Sequence, residues 1–175
     1  MRFLLLMRHA KAEPLAPGGS DFDRVLAPRG RSDAKTMGAY LARHRLVPDC
    51  VVVSPAARTR ETWTQTSTAF GQMPPASFEH RLYDAAAPAV LDVIKQTADS
   101  VGTLLVIGHN PGLQELAAML IASGDVEARE RLSREFSTSA MATISFAVEN
   151  WNAVHARGGR LEHFITPKWL RATSD

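Results

Sequence analysis

Two histidines and two arginines stand where apolar runs stop. "LLLMRHAKAE" (4–13) delivers Arg8 and His9 at the end of an aliphatic segment, "SPAART" (54–59) places Arg58 just after a second, and "VIGHNPG" (106–112) places His109 after a third. A guanidinium is planar with fixed pairs of donors, so two of them suit a tetrahedral oxyanion such as a phosphoryl group. Neutral imidazole carries an in-plane lone pair and forms a labile phosphoramidate. One histidine therefore fits as a nucleophile that divides hydrolysis into two easier transfers. Arg8, Arg58 and a protonated His109 would stabilise charge on the equatorial oxygens in both. Helix N-termini after Pro55 and Pro111 would add unpaired N–H groups. The scheme calls for no metal and no other cofactor.

Taken singly, each signal has a plainer explanation. A strand-end histidine is usually solvated or structurally satisfied, a helix arginine is usually paired, and "GHNPG" suits a turn for backbone reasons alone. Their weight comes from recurrence at three strand ends, which makes the architecture decisive. Residues 3–7 read as a strand buried on both faces, since a short continuous apolar run fits a parallel sheet. Residues 14–27 read as a surface loop. Pro28 suits the first turn of a helix over about 29–45, where Ala34, Met37 and Leu41 recur at helical spacing. "CVVVS" (50–54) is a second strand, followed by a helix with Ser54 as its cap and Pro55 in its first turn. "SFEHRLY" is a short edge segment, 87–98 a helix, and "TLLVIG" a third strong strand ahead of a helix over about 112–122. A polar helix over 125–135 precedes two late strands, "MATISFAVE" and "RLEHFIT", joined across a turn near Gly158 and Gly159. This alternation predicts an α/β three-layer sandwich with a mainly parallel central sheet and helices on both faces. Such sheets bind ligands at the carboxyl ends of their strands, where Arg8, His9, Arg58 and His109 fall.

The ordered set "LMRHA" (6–10), "VSPAARTRET" (53–62) and "VIGHNPG" (106–112) resembles the histidine phosphatase superfamily, of phosphoglycerate mutase-like fold. "LYDA" (82–85) points to its short SixA-like phosphohistidine phosphatase branch. The likeness runs from residue 2 to about 121. It implies that His9 is the phosphorylated nucleophile and that Arg8, Arg58 and His109 form the phosphate pocket. The family's segment before its first helix is echoed by "RVLAPRGRSDA", where Leu26 and Gly30 match and Pro28 is displaced. The first motif commonly ends in glycine, whereas Ala10 stands here. Larger members carry a glutamate proton donor after their second helix; Asp84 is the first candidate for that role here and Glu79 the second. An alkyl phosphate leaves poorly without a donated proton, whereas phosphohistidine leaves readily as imidazole, so weak acid catalysis favours phosphoramidates. The expected activity is thus a metal-independent phosphatase acting on a phosphorylated protein, with a small phosphate-bearing substrate as the alternative. The non-enzymatic alternative is a phosphoprotein-binding module.

Composition sets the outer limits. The 175 residues, 45% hydrophobic and 22% charged, fit one domain spanning 1–175. Residues 1–45 hold nine Arg or Lys against four Asp or Glu, and 46–100 hold four against six. That basic quarter favours an anionic ligand but lacks the Lys/Arg runs of a nucleic-acid binder. Cys50, the single cysteine, precludes an intrachain disulfide and reads as a buried structural thiol. "MRFLLLM" and "AAMLIA" are too short to span a bilayer, so a cytoplasmic protein without membrane attachment is expected. His44 and His80 read as solvated, and no "HExxH" or Cys/His cluster suggests zinc. Trp63, Trp151 and Trp169 read as packing residues, with Trp63 bracing the helix of Arg58.

Overall fold

Four side chains in a row, Leu4, Leu5, Leu6 and Met7, are fully buried. Successive strand residues face opposite ways, so this burial requires cover on both sides of the sheet. The computed structural model, which describes residues 1–173, provides it. Leu4 and Leu6 join one apolar cluster and Leu5 and Met7 the other. Burying each such side chain contributes about 1.5–3 kcal/mol.

The elements follow in the order β1 (Arg2–Arg8), α1 (Pro28–Arg43), β2 (Cys50–Val53), α2 (Ala57–Ser67), β3 (Ala76–Phe78), α3 (Ala87–Lys95) and β4 (Thr103–Gly108). The second half contains α4 (Gly112–Leu120), β5 (Ile121–Gly124), α5 (Val126–Arg134), β6 (Met141–Phe146), β7 (Gly159–Ile165) and α6 (Pro167–Thr173). The described residues form a seven-stranded sheet in the order β3-β2-β4-β1-β6-β7-β5. β3, β2, β4 and β1 run parallel, as do β7 and β5, while β6 is antiparallel to both its neighbours. Helices α1, α2 and α6 cover one face through Met37, Leu41, Trp63 and Trp169. Helices α3, α4 and α5 cover the other through Val90, Ile94, Leu116 and Leu132. This is the three-layer α/β sandwich that the sequence pattern predicts.

α1 and α2 approach closely because Gly38 faces the α2 backbone. A Cβ built there would lie 2.0 Å from the Thr66 carbonyl oxygen, so any side chain would drive the helices apart. Three elements depart from the sequence expectation. α4 stops at Leu120, and the residues expected to prolong it begin β5, with Ile121 paired to Gly159 on β7. Periodicity does not separate the last turn of a helix from a short strand in an apolar run, and the free edge of β7 decides between them. α6 was not anticipated, being only seven residues long; Trp169 and Leu170 pack against the sheet. Cys50 lies at the start of β2 and is half-buried rather than fully buried, with burial pushing its thiol pKa up.

Candidate active site

The register aligns the three chemical motifs on adjacent strands. Arg8 pairs with Gly108 across β1 and β4, and Val53 pairs with Ile107 across β2 and β4. One bond beyond the ladder, the His9 N–H donates to the Gly108 carbonyl at 3.0 Å and the Ser54 N–H to the Ile107 carbonyl at 3.0 Å. After β1 the chain passes to α1 on one face, and after β4 to α4 on the other, so the crevice between these strand ends is a topological switch point. His9 and His109 meet there, with ring centroids 5.4 Å apart.

Hydrogen bonds fix both imidazoles. His9 Nδ1 donates to its neighbour's carbonyl, Ala10 O, at 2.8 Å, which leaves Nε2 with the free lone pair. His9 is 7% exposed, and burial is the main reason its pKa falls from 6.5 to about 3; His109, Arg58 and Arg8 add to the fall. His109 Nδ1 accepts from Arg58 Nη2 at 3.3 Å, so Nε2–H donates to Ser54 Oγ at 2.6 Å. Burial first, then Arg58, lowers the His109 pKa to about 4. The site therefore holds two neutral histidines at neutral pH, where the sequence reading assigned a protonated His109. Ser54, expected to cap α2, instead orients His109; α2 starts two residues later, with Ala56 in the cap position and Pro55 outside the helix.

The arginines are anchored on one side and leave donors unused. Arg8 Nη1 donates to the Phe136 carbonyl at 3.1 Å, and burial lowers the pKa of its guanidinium. Arg58 donates through Nη1 to the Asp21 carbonyl at 2.8 Å and through Nη2 to Asp21 Oδ2 at 3.1 Å. The Nε–H groups of both arginines are buried without an acceptor among the described residues. Buried donors demand acceptors, and an oxyanion supplies several.

A second layer of residues holds this arrangement. Thr62 Oγ1 accepts from the Ala10 N–H at 2.9 Å and donates to the Arg58 carbonyl at 2.6 Å, tying the turn after β1 to α2. Ala10 packs its methyl with Leu26 and Ala34, so the position where glycine is common is filled by a contact. Gly30 lies under the same turn, where a Cβ would sit 2.1 Å from the Lys11 carbonyl oxygen. On the opposite side, the Ser139 N–H donates to the His9 carbonyl at 3.1 Å and Asn110 Nδ2 to the Phe136 carbonyl at 2.9 Å.

Asp21 is the carboxylate bonded to the pocket arginine, and sequence reasoning assigned it only to a loop. Besides Arg58 it accepts from the Tyr83 hydroxyl at 2.7 Å and from Arg24 at 2.9 Å. The Tyr83 hydroxyl, with help from Arg58 and Arg24, holds its pKa down at about 2. Tyr83 also meets His109 edge-on at 5.5 Å between ring centroids. The signal available in the sequence was the "SDFDR" run, but its contact with Arg58 depends on how the loop folds back. Of the two expected proton donors, Glu79 is engaged by Arg81, through the backbone N–H at 3.0 Å and Nη2 at 2.9 Å. Those bonds hold its pKa near 2. Asp84 follows Tyr83 in sequence and is exposed, with φ of 52° and no side-chain hydrogen bond or ion pair among the described residues.

The family model of the histidine phosphatase superfamily (branch 1) matches residues 4–88. A phosphohistidine phosphatase SixA homologue of Haemophilus influenzae is 31% identical over 128 residues, covering 67% of this chain and 76% of the relative. The chain belongs to the histidine phosphatase superfamily. An uncharacterised Mycobacterium tuberculosis protein is 38% identical over 93% of this chain and 100% of its own length. A structure assigned as phosphohistidine phosphatase SixA of Agrobacterium tumefaciens superposes with a TM-score of 0.79 at 30% identity, over 95% of this chain and 98% of that one. The fold is shared as well by the protein histidine phosphatase SixA complexed with tungstate, at a TM-score of 0.77 and 24% identity, over 96% of this chain and 99% of that one. The phosphoglycerate mutase-like sandwich of this superfamily is therefore the fold seen here. Among the described residues no helix is long and apolar enough to cross a membrane.

Proposed function

We propose that this superfamily member is a phosphatase working through phosphorylated His9, and that its substrate is a histidine-phosphorylated protein. One observation carries the reading. Among the described residues, no carboxyl group is held as a proton donor beside His9, Arg8, Arg58 and His109: Asp21 is an anion bonded to Arg58 and Glu79 is bound by Arg81. Such a site suits a leaving group that departs without a proton. Phosphohistidine protonated on its other ring nitrogen leaves as neutral imidazole.

In the first transfer the His9 Nε2 lone pair forms a bond to phosphorus while the substrate P–N bond breaks, its electron pair becoming a lone pair of the departing imidazole. The Nδ1–H held by Ala10 O keeps phospho-His9 in the same labile protonated form. Water then attacks phosphorus, the N–P pair returns to Nε2, and the proton of water leaves with phosphate. Arg8 and Arg58 neutralise the equatorial oxygens in both transfers, and a bound phosphate raises the pKa of His109 so that its Nδ1 donates as well. No metal or other cofactor is assigned a step. Asp84 is the group available to protonate an alkoxide when the substrate is an ester. The segment joining β3 to α3 spans only residues 79–86, so the rim carries no inserted cap there and remains accessible to a protein surface. The resemblance to proteins named as phosphohistidine phosphatases supports the same substrate class.

The test compares phosphate release from a histidine-phosphorylated protein with release from a panel of alkyl and aryl phosphates, in buffer containing a chelator. A preference for the phosphoprotein in kcat/KM is expected. A preference for one alkyl phosphate would replace this reading with that of a metabolite phosphatase using the same His9 chemistry.

A further inference from the structure

A cleft of about 670 Å³ lies beside the catalytic pocket, among α1, α5 and α6. Its cations are Arg29 on α1, Arg131 and Arg134 on α5, and Lys168 and Arg171 on α6. Among the described residues only two carboxylates, Asp33 and Glu135, line the cleft against these five. Asp33 is already shared, with Arg171 at 3.0 Å and Arg29 at 3.6 Å. Lys168 is exposed without a partner among the described residues, and Arg134 reaches only Glu130, at 3.9 Å on its own helix. The described residues of the cleft thus carry an excess of positive charge that the mechanism does not use.

Its position ties it to the active site. Met7, Met141 and Ile165 lie in one row across β1, β6 and β7, so the ends of β1 and β7 face the same rim two strand spacings apart, about 10 Å. The 135–139 loop lies between the cleft and the His9 site. One side of it lines the cleft through Glu135, Ser137 and Thr138, while its Phe136 carbonyl accepts from Arg8 and its Ser139 N–H holds the His9 carbonyl. Three or four residues of extended chain bridge this distance, at about 3.3 Å per residue.

We propose that the cleft is an extended substrate site that binds an acidic segment of the phosphoprotein whose phosphohistidine occupies the catalytic pocket. The proposal rests on the phosphohistidine reading above. The cations are spread over three helices rather than converged on one point, and Arg131 lies over the floor aromatics Phe164 and Trp169, at 5.9 and 5.4 Å from their centroids. That distribution fits several carboxylates along a chain better than one compact second phosphate, and it selects partners by charge complementarity.

The test uses two synthetic phosphohistidine peptides, one flanked on both sides by glutamates and one by glutamines, with p-nitrophenyl phosphate as the control substrate. Wild-type protein is expected to favour the glutamate peptide about tenfold in kcat/KM, mainly through KM, with the preference shrinking as salt is added. The double variant Arg134→Glu, Lys168→Glu is expected to lose that preference while hydrolysing p-nitrophenyl phosphate at the wild-type rate, which also shows that it is folded. Equal use of both peptides by the wild type overturns the acidic-segment proposal alone, as does a preference that survives the double substitution. Activity on p-nitrophenyl phosphate with neither peptide hydrolysed overturns the phosphohistidine reading and the cleft proposal with it. Tighter inhibition by a small bisphosphate than by the glutamate peptide assigns the cleft to a second phosphate instead.

Discussion

Burial of two neutral histidines, His9 and His109, makes the protein acid-sensitive in a calculable way. Both folded pKa values lie below the ordinary value of 6.5, at about 3 for His9 and about 4 for His109. A depressed folded pKa means that the unfolded chain takes up protons first. The stability is therefore complete above pH 6.5, falls as pH drops below it, and levels off only as the folded pKa values are reached. At pH 5 each histidine has titrated in the unfolded chain over about 1.5 pH units at about 1.4 kcal/mol per unit, a loss of about 2 kcal/mol each and about 4 together. Against the roughly 5–15 kcal/mol that stabilises a typical domain, that loss is large. Urea unfolding followed by tryptophan fluorescence at pH 7.5 and pH 5.0 measures it, with the His9→Gln, His109→Gln double variant as reference. The double variant should retain most of the stability that the wild type loses, and saturating inorganic phosphate should protect the wild type by favouring protonated His109. Equal losses in wild type and double variant would refute the assignment of two buried neutral imidazoles.

Arg58→Ala removes the guanidinium shared by Asp21 and His109 and should lower kcat/KM by about 10²–10³, a range typical of losing one preorganised donor; steady-state phosphate release checks this. Thr62→Val leaves the buried Ala10 N–H without its acceptor, so chemical denaturation should show a loss of about 1–3 kcal/mol together with reduced turnover. Asp84→Asn should slow hydrolysis of an alkyl phosphate while leaving phosphohistidine turnover nearly unchanged, and parallel kcat values on the two substrates decide this.

Much of the fold was legible because local chemistry and global arrangement agree. The unbroken apolar runs of β1, β2 and β4 demanded burial on both faces, Pro28 marked the start of α1, and each run ended on a residue that had no reason to be apolar. The same logic located Arg8, His9, Arg58 and His109 at one rim. What stayed hidden depends on contacts distant in sequence. Ser54 carries a capping residue's chemistry, yet its hydroxyl is taken by His109, which arrives 55 residues later. Asp21 sits in a loop without periodicity, and only the folded chain brings it to Arg58 and Tyr83. Glu79 and Asp84 are close in sequence but differ in circumstance, since Arg81 captures the first and none of the described residues captures the second. The basic cleft was invisible because its charges come from α1, α5 and an α6 too short to announce itself.

The most direct test of the account is a rapid-quench experiment with a substrate protein carrying ³²P on histidine, in which the enzyme is trapped under alkaline conditions that preserve phosphohistidine. Transient, acid-labile label is expected on His9, with neither label nor turnover in His9→Ala. Substantial phosphate release by His9→Ala, or wild-type turnover with label on a different residue, would contradict it.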